Sequence, residues 1–132
     1  MILVDANVIM YAAGSDHPHK PRCVRFLEEV ASGEVEATVD AEVLQEILHR
    51  YRAIGRWSDG RRVYDLARKL FPLALPITAD VLDRARALLD EHESLSARDA
   101  VHAAAAIVHS MDAICSYDRD FDVIAEIERR EP

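Results

Sequence analysis

Glycine and proline are scarce in this 132-residue chain, at four and five residues, and lysine occurs only at positions 20 and 69. With half of the residues hydrophobic and no low-complexity segment, such a composition argues against disorder beyond the termini. The glycine-rich phosphate loops GxGxxG and GxxxxGK[ST] are missing, which excludes the common nucleotide-binding folds. Cysteine is limited to Cys23 and Cys115, far apart and without CxxC spacing, so reduced thiols are expected rather than a disulfide framework. His17 and His19 in "DHPHK" have no further Cys or His at ligand spacing and read as a polar loop rather than a zinc site. No apolar run approaches the ~18 residues of a membrane span. The apolar start lacks a basic stretch and is broken by Asp5, unlike a signal peptide. A cytoplasmic location is therefore expected.

Positive charge is also short overall. A net charge of −8 argues against a protein that coats nucleic acid with its whole surface. The deficit is uneven, because residues 50–69 carry seven basic side chains, among them Arg50, Arg52, Arg56, Arg61 and Arg62, against two acids. That window reads either as a solvated helical hairpin or as a phosphate-binding rim beside an acidic centre.

The chain is of a size for one domain over residues 1–132. "MILV" is a short unbroken apolar run, as expected of a strand covered on both faces. Helical spacing follows over 7–13, about 22–31, about 41–54, about 59–70, about 79–92 and from Ser96 through the alanine run. Strands are expected at "VEATV", within "FPLALPI", at "AICS" and, as an edge, at "IERRE". Asp40, Thr78 or Asp80, and Ser96 are natural helix caps. Alternating strands and helices predict a three-layer α/β/α sandwich around a central, mostly parallel sheet of four to five strands.

In such sheets ligands sit outside the carboxyl ends of the strands, and two strands here run into acid: Asp5 after "ILV" and Asp118 two residues past Ser116. Glu46 borders the apolar stripe of its helix, and Asp99 falls in the first turn of the alanine-rich helix. Each acid has an ordinary alternative. Asp5 can cap the next helix, Glu46 can pair with Arg50 at i,i+4, Asp99 can complete a capping box with Ser96, and Asp118 can sit in a turn. Gathered at one sheet edge, however, the four would repel and raise one another's pKa unless a cation lay among them. Carboxylate oxygens suit Mg²⁺, with Mn²⁺ as a substitute.

The blocks "VDANVIMYA", "EVLQEI", "ARDAVHAAAA" and "SYDRDFD", in this order, resemble the four signatures of the PIN domain, and the length resembles the VapC-type toxin ribonucleases of toxin–antitoxin pairs. The resemblance runs from Ile2 to about Ile127. It implies that Asp5, Glu46, Asp99 and Asp118 are catalytic, metal-binding carboxylates, that Asn7 and Ser116 orient them, and that Asp122 is an extra acid at the rim. The implied activity is Mg²⁺-dependent hydrolysis of RNA by activated water, with a small antitoxin and a second copy of the chain as partners. Ala6 replaces the hydroxyl residue frequent in that family between Asp and Asn.

Two rival readings differ in testable ways. A PIN-like domain kept as an inactive interaction module would not cleave RNA. A Mg²⁺-binding phospho-receiver would need paired acids after the first strand and a lysine near the last, where this chain has "DAN" and no lysine.

Overall fold

A computed structural model describes all residues, 1–132. Its sheet has four strands in the order β2-β1-β3-β4, every neighbouring pair parallel: β1 (Ile2–Val4), β2 (Ala37–Thr38), β3 (Ala113–Cys115) and β4 (Glu128–Arg130). Six helices connect and cover it: α1 (Ala6–Ala13), α2 (Lys20–Ser32), α3 (Ala41–Ala53), α4 (Trp57–Leu70), α5 (Ala79–Glu91) and α6 (Ala97–Val108). The expected edge strand in "IERRE" is β4.

The segment "FPLALPI" departs from expectation. Its contribution is a single bridge between Asp40 and Leu75, flanked by prolines 72 and 76 whose nitrogens have no hydrogen to donate to a ladder. The sheet therefore stops at four strands.

Side-chain alternation sorts the central strands onto two cores. Val4 and Cys115 join α1 to α4 in one cluster, while Leu3 and Ile114 join α5, α6 and Phe121 in the other. On α6, Ala100 and Ala103 to Ala106 are wholly buried, so this helix packs close to the sheet, and a larger side chain there would overpack by about 1–3 kcal/mol. On the opposite face α3 and α4 approach closely at Gly60, where an added Cβ would strike the Tyr51 side chain. Asp40, Thr78 and Ser96 each accept a hydrogen bond from the backbone three residues on, as their helix-capping positions require.

The chain leaves β1 toward β2 on one side and returns, through α3 to α6, to β3 on the other. The carboxyl ends of β1 and β3 therefore flank a topological switch point, where a crevice must open.

Candidate functional site

Asp5 stands at that switch point. Its N–H extends the β1–β3 ladder to the Cys115 carbonyl (3.0 Å), and α1 begins at the next residue. Although Asp5 holds the N-cap position of α1, its side chain makes no capping bond. It accepts instead from Ser116 Oγ (2.6 Å), which lies just past β3. Burial raises the Asp5 pKa, with nearby His102 opposing that rise.

Ser116 is wholly buried and uses its full hydrogen-bonding capacity, donating to Asp5 while accepting from Asn7 Nδ2 (3.1 Å) and from the Asp118 N–H (2.9 Å). One hydroxyl thus fixes three site residues from two strand ends. Asn7 Oδ1 is buried with no partner in the chain. Asp118 spends Oδ1 on the Asp120 N–H (2.9 Å), which starts a short 3₁₀ helix over Arg119–Val123. Its expected turn role is thus real, yet it occupies one oxygen only.

Glu46 comes from α3. The expected partner Arg50 does not pair with it; His102 Nε2 meets Glu46 Oε1 at 2.6 Å, and Arg98 Nε lies 3.4 Å from the same oxygen. His102 Nδ1 lies 2.7 Å from Asp40 Oδ2. Burial alone would lower the His102 pKa, but the two carboxylates outweigh it and hold the ring well above its ordinary 6.5, so that both N–H groups donate.

Asp99 sits in the first turn of α6, its N–H bonded to Ser96 Oγ (3.1 Å). A helix N-terminus favours an anion, yet burial first and Asp118 second push the Asp99 carboxyl up to about 6. Carboxylate oxygens of Asp99, Asp118 and Asp120 lie within 4.8 Å of one another.

Asp5, Glu46, Asp99 and Asp118, from four separate elements, line one cavity of ≈ 410 Å³ whose single hydrophobic lining residue is Met10. An oxygen-only donor set, a carboxyl resisting ionisation and an unpartnered buried amide oxygen together suit a hard divalent cation. Asp122 is elsewhere engaged: Arg129 Nε donates to it at 2.8 Å, and it does not line the cavity.

A second cavity of ≈ 590 Å³ adjoins the first, sharing Asn7, Met10, Glu46 and Arg98. Of the basic residues singled out in the sequence, Arg50 and Arg56 line it, Arg52 lies over the Trp57 ring at 5.5 Å, and Arg61 and Arg62 are exposed on α4 outside both cavities. Sequence reasoning did not place Arg98, His102 or Asp120 at the site. The signal for His102 was its place one turn after Asp99 on the same helix face, and for Arg98 its place beside an acid.

Known proteins share this sequence pattern and fold. The PIN domain family profile matches residues 2–127. Ribonuclease VapC13 of Mycobacterium tuberculosis is 43% identical over 129 residues, covering 98% of each chain. Among solved structures, VapBC2 from Rickettsia felis bound to a DNA fragment from their promoter aligns with a TM-score of 0.80 at 17% identity, covering 100% of this chain and 99% of that one. A toxin–antitoxin complex from Klebsiella pneumoniae aligns with a TM-score of 0.72 at 18% identity, covering 96% and 95%.

Proposed function

Because this chain belongs to the VapC ribonucleases of the PIN-domain family, we propose that it is a metal-dependent endoribonuclease and the toxin of a toxin–antitoxin pair. The observation that carries the reading is the convergence of Asp5, Glu46, Asp99 and Asp118 on one polar cavity, where Arg98 is the one cationic side chain in the lining and Met10 the one hydrophobic residue.

These four carboxylates would hold Mg²⁺, or Mn²⁺ in its place, directly or through water, and an ion held there would supply charge neutralisation at the phosphodiester and activation of water. The chain's own groups do the positioning. Ser116 fixes Asp5, Asn7 and the Asp118 backbone relative to one another. The adjoining cavity, with Arg50, Arg56 and His49 in its wall, takes the RNA strand by its phosphates, while the remaining acidic surface repels nucleic acid elsewhere.

The antitoxin partner rests on likeness to VapC proteins and to a solved toxin–antitoxin complex. An apolar groove of ≈ 620 Å³ between α1, α2 and α4, lined by 12 hydrophobic residues among 14, offers an apolar antitoxin segment a seat away from the acids. We further propose self-association into a homodimer, as in the VapC family, and a cytoplasmic address; no helix is long and apolar enough to cross a membrane.

The test is direct. The purified chain, freed of any partner, is incubated with RNA and Mg²⁺ or with EDTA. Cleavage with Mg²⁺ only is expected, and a chain that cuts no RNA under either condition overturns the nuclease reading in favour of an inactive interaction module.

A further inference from the structure

We propose that His102 is a positioning residue, which fixes the Glu46 carboxylate for a divalent cation through a buried Asp40–His102–Glu46 chain. This rests on the reading of the acidic cavity as a cation site.

The chain of contacts is complete within the protein. Asp40 is wholly buried and spends Oδ1 on the Val43 N–H (2.8 Å), capping α3, and Oδ2 on His102 Nδ1 (2.7 Å). His102, only 1% exposed, then reaches Glu46 Oε1 from its other nitrogen at 2.6 Å. Asp40 caps α3 and Glu46 lies within it, so the ring of an α6 residue ties the start of that helix to its second turn and fixes both the seating of α3 and the Glu46 rotamer.

His102 lies close enough to Asp5 and Glu46 to pass for a third ligand. Both of its nitrogens are already committed, however, so it serves the cation through Glu46 and not by contact. Its bond and the Arg98 contact fall on the same oxygen, Oε1, which leaves Oε2 uncommitted. A carboxylate held by one oxygen presents the other in a fixed direction, whereas a free Glu side chain must lose rotamer freedom on binding.

Two substitutions separate positioning from bulk support. In His102→Gln the side-chain amide nitrogen takes the place of Nε2 and keeps the contact to Glu46; in His102→Asn it takes the place of Nδ1 and keeps the contact to Asp40. Both remove the ring and its charge. Mn²⁺ binding to the partner-free protein, read by electron paramagnetic resonance in the absence of RNA, should weaken about 10- to 100-fold in His102→Asn and within about threefold in His102→Gln. Equal affinities in the two variants overturn the positioning role.

Should both variants unfold, the wild-type chain labelled at its histidine ring nitrogens is titrated with Mg²⁺. A shift of the His102 resonances, with those of His92 and His109 unmoved, supports the proposal, and an unmoved His102 ring overturns it. Wild-type protein that binds no Mn²⁺ sinks the cation-site reading itself, an outcome distinct from the failure of His102.

Discussion

The cavity has two halves that treat negative charge differently. On one side Asp5 and Glu46 are met by Ser116, His102 and Arg98, so that the protein supplies its own hydrogen bonds and positive charge. On the other, Asp99, Asp118 and Asp120 crowd together with backbone N–H groups and no cationic side chain of their own, and the Asp99 carboxyl rises to about 6. A fold that neutralises one half and leaves the other in deficit is suited to a charge from outside at the second half. On the proposed cation-site reading, the first half is held rigid and the second draws the ion.

This contrast makes its largest prediction at the level of single substitutions. Asp99→Asn and Glu46→Ala should each lower RNA cleavage at least ~100-fold, since each removes a carboxylate facing the reacting phosphate. Their stabilities should diverge. Asp99→Asn removes an anion that burial and Asp118 disfavour, so the metal-free variant should melt at or above the wild-type temperature. Glu46→Ala strips a buried imidazolium of one partner and should cost about 1–3 kcal/mol in urea unfolding. If both variants lose stability alike, the two halves do not differ as argued.

Ser116→Ala probes the joint between the halves. It leaves Asp5 Oδ2, the Asn7 amide and the Asp118 N–H without their shared hydroxyl. A loss of about 1–3 kcal/mol, together with a tenfold order of loss in cleavage, is expected from orphaned buried groups. Wild-type unfolding free energy and rate in the variant would deny that the hydroxyl is the hub.

A pH series sharpens the contrast further. The Asp99 pKa lies above its ordinary 3.8, so the folded chain holds that proton more tightly than the unfolded one. Its contribution to stability is therefore present below about pH 4 and is lost as pH rises through about 6. Without metal, the melting temperature should show this decline, and Asp99→Asn should flatten it. Mg²⁺ should restore stability above pH 6 and bind more weakly below it, where proton and cation compete for the same carboxylate. Metal affinity independent of pH between 5 and 7.5 would remove Asp99 from the ligand set.

How these halves came to be legible from sequence differs in the same way. Asp5 and Asp118 were visible because a buried parallel strand that ends in a charge is unusual, and the switch-point rule says where such ends meet. Asp99 and its cap Ser96 followed from helix-start chemistry. Glu46 was visible as an acid bordering an apolar stripe, but its partner was not, because local rules favour the i,i+4 neighbour Arg50 and cannot foresee a ring from α6, 56 positions away. The same blindness hid the cationic partners of the neutralised half: Arg98 is exposed enough to pass for a solvated charge, and His102 sits in an alanine run that reads as core. At the strand level, "FPLALPI" looked apolar enough to pair, and its prolines decided otherwise.

The smallest expected effects lie at and beyond the outer edge of the second half, among acids that the sequence does not tell apart. Asp120 and Asp122 stand two residues apart in one block, yet only Asp120 has an oxygen within reach of Asp99 and Asp118, whereas Asp122 takes two bonds from Arg129, at 2.8 and 3.4 Å. Asp120 is exposed, so Asp120→Asn should weaken Mg²⁺ binding only by about two- to threefold, as expected for one solvent-screened charge near the ion. Asp122→Asn should alter neither Mg²⁺ affinity nor cleavage, because Arg129 is also tied to the Ser116 carbonyl (3.0 Å) and to Glu131 and keeps β4 in place without it. The pair is a sensitive probe of where the cation-deficient half ends. An Asp122→Asn variant that binds Mg²⁺ more weakly than Asp120→Asn would extend the site across the 3₁₀ helix to Arg129, and the boundary drawn here between site and support would have to move.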